Sequence, residues 1–119
     1  MKKPRNTLTL SLKREWFDLI KSGVKREEYR EIKPRYLSMF CKQTLTTEPD
    51  TDNDFLVGFH LKDSTELHYD TLEFTLAYPS RMETDKWLVF KNPKIRIGTG
   101  YPAWGAKPGR LYFVITWDT

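Results

Sequence analysis

Gly23-Val24-Lys25-Arg26-Glu27-Glu28-Tyr29-Arg30 packs five charges of both signs into eight residues, directly behind an amphipathic segment that ends in glycine. As a helix it would be an isolated charged turn, cut off by Gly23 before it and Pro34 after it, with no apolar face. As a strand, the period of two sends Glu28 and Arg30 one way and Glu27, Tyr29 and Glu31 the other. We therefore expect a strand within Lys25 to Lys33. A strand without an apolar face borders water, lines a polar cavity or lies at a sheet edge.

On the amino-terminal side, Thr7-Leu8-Thr9-Leu10-Ser11-Leu12 alternates strictly, which predicts a half-buried strand. From Lys13 to Ser22 the period changes. Leu12, Trp16, Leu19, Ile20 and Gly23 share one helical face, and Lys13, Arg14, Glu15, Asp18 and Lys21 share the other. Gly23 falls where this helix needs a left-handed stop, with Ser11 or Leu12 at its entry. Beyond the charged stretch, Pro34 opens a second short helix over 34–42, with Tyr36, Leu37, Phe40 and Cys41 at helical spacing.

The rest of the chain reads as strands and loops. Residues 43–54 form a Thr- and Asp-rich loop, and 55–61 a buried strand. Residues 69–78 alternate, with Leu72, Phe74, Leu76 and Tyr78 inward. A strand at 87–90 is interrupted by Asn92-Pro93 and resumes at 94–97. Residues 98–109 form a Gly/Pro-rich loop carrying Tyr101 and Trp104. The last strand, 111–117, is apolar on both faces and therefore central. The expected architecture is one α+β domain over 1–119: a small β-barrel of about six to seven strands with two short helices at its ends.

Composition narrows the function classes. The chain has 20 basic and 16 acidic side chains, net +4. Residues 1–42 carry 12 basic and 5 acidic groups, 43–85 carry 2 and 10, and 86–119 carry 6 and 1. If the two basic ends meet, they make one basic face suited to a polyanion; the alternative is a scattered, solvated charge surface. Cys41 is the only cysteine, so no internal disulfide is possible and a reducing compartment is expected. No apolar run has the length of a signal peptide or membrane span, so a cytoplasmic protein without membrane association is expected.

Several motifs fail on inspection. Asp50-x-Asp52-x-Asp54 begins like a calcium loop, but Phe55 and Leu61 occupy the places of its Gly and Glu. Gly100 to Lys107 approaches a phosphate loop, with one residue too many before Lys107 and Pro108 after it. Two His and one Cys, widely spaced, make no zinc site. No metal and no cofactor is expected. What remains is the charged stretch. Arg30 can clamp an anion bidentately and Lys25 is a compact charge, while Glu28 shares the face of Arg30. The plainer alternative is a solvated charged hairpin.

Gly23-x-Lys25-x-x-Glu28-x-Arg30, behind an amphipathic helix and a Leu-rich strand, resembles the ASCH domain signature G-x-K-x-x-E-x-R. Tyr69-Asp70-Thr71-Leu72-Glu73-Phe74, Ile97-Gly98-Thr99-Gly100, Trp104-Gly105 and the aromatic-rich final strand are similar to the tail of small stand-alone bacterial or phage ASCH proteins. The resemblance covers 7–42 and 68–117. It implies a PUA-like barrel whose cleft is lined by Gly23, Lys25, Glu28 and Arg30. It implies RNA, a nucleotide or a nucleoside as ligand. Tyr101 and Trp104 would offer stacking surfaces and Glu28 would accept from an exocyclic amine. The alternative it implies is a small hydrolase, an N4-acylcytidine amidohydrolase or a nuclease. There Lys25 would act as a desolvated base or stabilise a developing oxyanion, and Glu28 or Glu73 would activate water. The amidohydrolase-type members carry a nucleophilic Thr at the position of Glu28, and this chain departs from that pattern.

Overall fold

A computed structural model describes residues 6–40 and 69–119. The expected loop at 43–54 and strand at 55–61 lie outside the described residues. The elements run β1 (Thr7–Leu12), α1 (Arg14–Lys21), β2 (Glu28–Arg30), α2 (Pro34–Phe40), β3 (Thr71–Leu76), β4 (Trp87–Gly98) and β5 (Tyr112–Asp118). The protein is an α+β fold with two short helices and a five-stranded mixed sheet of order β1-β3-β4-β5-β2. Among the described residues this sheet is open, with β1 and β2 at its two ends, and it does not close into the expected barrel. β5 lies inside the order, and Tyr112, Phe113, Val114 and Ile115 are all buried, as its continuous apolar run requires. The described helices include none long and apolar enough to cross a membrane.

The chain divides into two compact units. The first comprises residues up to Glu27, His68–Lys94 and Thr116–Thr119. In it β1 runs parallel to β3, from Thr7 opposite Thr71 to Leu12 opposite Leu76. β3 in turn runs antiparallel to β4, from Thr71 opposite Lys91 to Thr75 opposite Trp87. The alternation read from the sequence holds in β1: Leu8, Leu10 and Leu12 are buried, while Thr7 and Thr9 are exposed. Leu72 and Phe74 join them, and Phe74 meets Trp117 edge to face with ring centroids 5.2 Å apart. Full burial of each such side chain contributes about 1.5–3 kcal/mol.

Helix α1 buries Phe17 and Ile20 in the first unit. Of the expected face, Leu12 and Ile20 are buried and Trp16 and Leu19 only half-buried, while Phe17, from outside that face, is buried. Its entry residue is Lys13, not Ser11 or Leu12, and no side chain caps it. Tyr78 is not an inward residue: β3 ends at Leu76, and Tyr78 is 91% exposed. The turn between them is made by Ala77 at φ +59°, whose carbonyl accepts from the Thr75 hydroxyl at 2.9 Å. A Cβ in the left-handed region costs about 1–2 kcal/mol, partly offset by the greater freedom glycine has when unfolded. Ala77→Gly is therefore expected to raise stability by about 0.5–1 kcal/mol, read as a higher denaturation midpoint at unchanged slope.

Asn92-Pro93 does not split 87–97 into two strands. β4 is continuous over twelve residues. Asn92 takes φ +54°, which Asn tolerates better than most side chains. Its backbone N–H donates to the Asp70 carbonyl at 3.0 Å, and its side-chain amide donates to Asp118 at 2.7 Å. The irregular residue is therefore tied on both sides.

The second unit comprises Glu28–Leu67 and Ile95–Ile115. Here β2 pairs antiparallel with β5, with Glu28 opposite Ile115, Tyr29 opposite Val114 and Arg30 opposite Phe113. The expected strand is present but only three residues long. Helix α2 supplies Phe40, buried edge to face against Phe113 at 5.0 Å, and Tyr36, stacked on Phe40 at 5.7 Å.

Candidate functional site

The Gly-x-Lys spacing has a local mechanical explanation. After Lys21 the chain wraps: the Gly23 N–H donates to the Ile20 carbonyl, and the Val24 and Lys25 N–H groups both donate to that of Leu19, each at 3.0 Å. Gly23 makes this wrap at φ +87°, where a Cβ would be strained although nothing lies within 4 Å of it. The turn leaves Val24 exposed and sends Lys25 inward, to 1% exposure. One of the three ammonium donors goes to the Glu27 carbonyl, and the ammonium lies 5.7 Å from the centre of the Trp16 ring.

In the second unit, β2 puts Glu28 and Arg30 on one face, as its period demands. Their side chains form an ion pair at 2.8 Å, and Glu28 is 7% exposed. Arg30 also donates to the Tyr36 hydroxyl at 3.3 Å, and its guanidinium lies 5.8 Å from that ring's centre. Arg30 thus spends donor capacity inside the protein, on a carboxylate and a phenol.

Tyr29 occupies the opposite face, tilted against Tyr112 at 5.9 Å. Its hydroxyl accepts the Tyr101 backbone N–H at 2.9 Å. Tyr101 meets Trp104 edge to face at 4.8 Å, across the 3-10 turn Pro102–Trp104. These two loop aromatics are therefore brought together, and Tyr101 keeps 58% of its surface exposed.

The expected site residues fall into two groups. Gly23, Lys25 and Glu73 belong to the first unit, and Glu28, Arg30, Tyr101 and Trp104 to the second. Glu73 accepts from the Thr9 hydroxyl at 3.2 Å and pairs with Arg81 at 3.1 Å. Sequence reasoning missed Tyr36, Tyr29 and Tyr112. Their hydroxyls organise the second unit's polar contacts, yet their spacing in the chain is that of ordinary core aromatics. The pairing of β2 with β5 brings Tyr29 beside Tyr112, and the packing of α2 brings Tyr36 to Arg30.

Glu31, beside β2, pairs with Lys33 at 2.8 Å and Arg110 at 3.2 Å. The Lys33 ammonium holds its carboxyl below the ordinary range. A carboxyl lowered on folding adds stability above its unfolded value of about 4.3, and loses it as pH falls through the lowered one. Glu31→Gln is expected to flatten the acid side of a midpoint-against-pH curve below about pH 4.3 and leave the neutral side nearly unchanged.

Comparison of the chain with family models, with curated proteins and with solved structures gives no match.

Proposed function

We propose that this chain is an ASCH-type, PUA-like module that binds RNA or a nucleotide or nucleoside through the polar residues of the Gly23–Arg30 stretch. The observation that supports this reading most directly is burial. A solvated charge run would leave its side chains in water, whereas Lys25 and Glu28 are among the buried residues. Burying charge is costly unless it is paired, so such groups are retained for structure or for a ligand. In the binding reading, Lys25 of the first unit and Arg30 of the second each meet a phosphate or a base edge, and Glu28 accepts from an exocyclic amine. The binding reading is favoured over the hydrolytic one because the Glu28 carboxylate is held by Arg30 at 2.8 Å, an arrangement suited to accepting a hydrogen bond.

Calorimetric titration of the full chain with cytidine, cytidine monophosphate and a short single-stranded RNA tests it. Measurable affinity for one of them, weakened in Lys25→Met, is the expected result. A flat plot of log K against log salt for the RNA would sink phosphate contact as the basis of binding. Incubation with N4-acetylcytidine, followed by chromatography, decides the hydrolytic alternative: release of acetate in wild type and not in Lys25→Met would replace binding with catalysis. No affinity for any of the three would overturn the proposal.

A further inference from the structure

The loop that carries Tyr101 is built more rigidly than its Gly/Pro-rich sequence implies. Its two ends are fastened to tyrosine hydroxyls: Tyr29 accepts the Tyr101 N–H at 2.9 Å, and Tyr112 accepts the Lys107 N–H at 3.0 Å. Between them, the N–H groups of Trp104 and Ala106 donate to the Tyr101 carbonyl at 2.9 and 3.3 Å. Gly105 closes the turn at φ +105°. Ala106 is the loop's buried anchor, in one cluster with Tyr112 and Val114 against which Tyr29 packs. Gly100 lies against the Tyr29 ring, where a Cβ would clash with it.

This construction presents a ring to solvent that a folding core has no use for. Tyr101 stands 58% exposed, braced from behind by Trp104. The described part of the unit that carries it is basic. The described residues of the second unit carry Arg30, Lys33, Arg35, Arg96, Lys107 and Arg110 against only Glu28 and Glu31. Lys107, at the loop's far end, is exposed. A fixed aromatic face with an exposed lysine at the far end of its loop is an arrangement on which a base stacks while a phosphate is held electrostatically, and a preorganised loop loses little freedom on binding.

We infer that residues 100–107 form a preorganised platform for single-stranded nucleic acid, with Tyr101 as the stacking face and Lys107 as a phosphate contact. The inference rests on the nucleic-acid reading above and assigns the contact to a different segment from the Gly23–Arg30 stretch. Tyr101 is the contact residue, Trp104 its brace, and the Tyr29 and Tyr112 hydroxyls hold the frame.

The test is a titration of a fluorescein-labelled ten-nucleotide oligouridylate with the full chain, read by anisotropy at one fixed low salt concentration. Tyr101→Ala is expected to weaken binding by between about 5- and 150-fold, the range for loss of one base-stacking ring. Tyr101→Phe, which keeps the ring, is expected to retain most of the affinity. Repeating the titration across a salt series, Lys107→Gln is expected to lower the slope of log K against log salt by about 1. Melting curves on each variant separate contact loss from unfolding. Oligomer binding that Tyr101→Ala leaves unchanged overturns the platform and leaves the Gly23–Arg30 reading standing. Binding of cytidine monophosphate but not of the oligomer does the same. Equal affinity for heparin and oligomer, indifferent to Tyr101, shows plain charge adhesion and also overturns it. Absence of binding to oligomer and mononucleotide alike removes both readings together.

Discussion

Arg30→Ala is expected to lower stability by about 3 kcal/mol or more, well beyond what loss of a solvated ion pair produces. The substitution takes away the guanidinium 2.8 Å from a carboxylate that is 7% exposed, and with it the donor to the Tyr36 hydroxyl. Losing one partner of a buried pair costs about 3–5 kcal/mol, because the other charge keeps its desolvation penalty and forfeits its compensation. The Glu28 and Arg30 side chains retain 9% and 15% exposure, which places the effect at the lower end. Arg30→Lys is not a conservative rescue, since an ammonium cannot reproduce a planar fork. The double variant Glu28→Ala/Arg30→Ala should recover much of the loss, and the difference measures the coupling. Chemical denaturation gives the answer through the midpoint at constant slope. A loss below about 1 kcal/mol would be the behaviour of an exposed pair and would place Glu28 in water.

Lys25 separates stability from binding. Lys25→Ala removes a long buried stem and is expected to cost about 2–5 kcal/mol, as when a buried Met is truncated to Ala. The Glu27 carbonyl also loses the ammonium that donates to it. Lys25→Met keeps most of the stem volume and removes the buried charge, so its stability should lie close to wild type or above it. Its affinity for nucleotide or RNA should fall sharply if the ammonium serves a ligand. The pair of variants is therefore diagnostic. Lys25→Met that is stable and binds normally would make Lys25 a structural residue only. Lys25→Met as unstable as Lys25→Ala would show that the ammonium's internal bonds, rather than the stem, hold this turn.

Much of the fold is legible in the sequence, for identifiable reasons. β1, α1 and β5 announce themselves through period: strict alternation, a 3.6-residue stripe, and a run apolar on both faces. Gly23 is readable because a helix of that length needs a left-handed stop. The sharing of one face by Glu28 and Arg30 follows from strand geometry alone. Other features depend on partners distant in the chain. Asn92-Pro93 carries every local mark of a break. Only the bonds to Asp70 and Asp118 let β4 pass through it, and neither partner is a sequence neighbour. Tyr78 continues the alternation of β3 on paper, yet the left-handed Ala77 turns the chain away before it. The inward course of Lys25 is set by backbone bonds to Leu19, whereas side-chain character alone suggests a solvated lysine. The closed barrel extrapolates from the number of strand-like segments, and segment counts do not determine whether a sheet's two ends meet.

The parallel pairing of β1 with β3 has a consequence for how the chain is made. Thr7 lies opposite Thr71, so β1 meets its partner β3 only after 64 further residues have been synthesised. At about 5–20 residues per second, that is an interval of roughly 3–13 s. Throughout it Leu8, Leu10 and Leu12 form an apolar stripe on a strand without its neighbour. Pairing across so long a loop is slow even in the finished chain, because closure must precede the contacts that reward it. β1 is thus made well before its partner and pairs late, and chaperone engagement during translation should centre on residues 7–12.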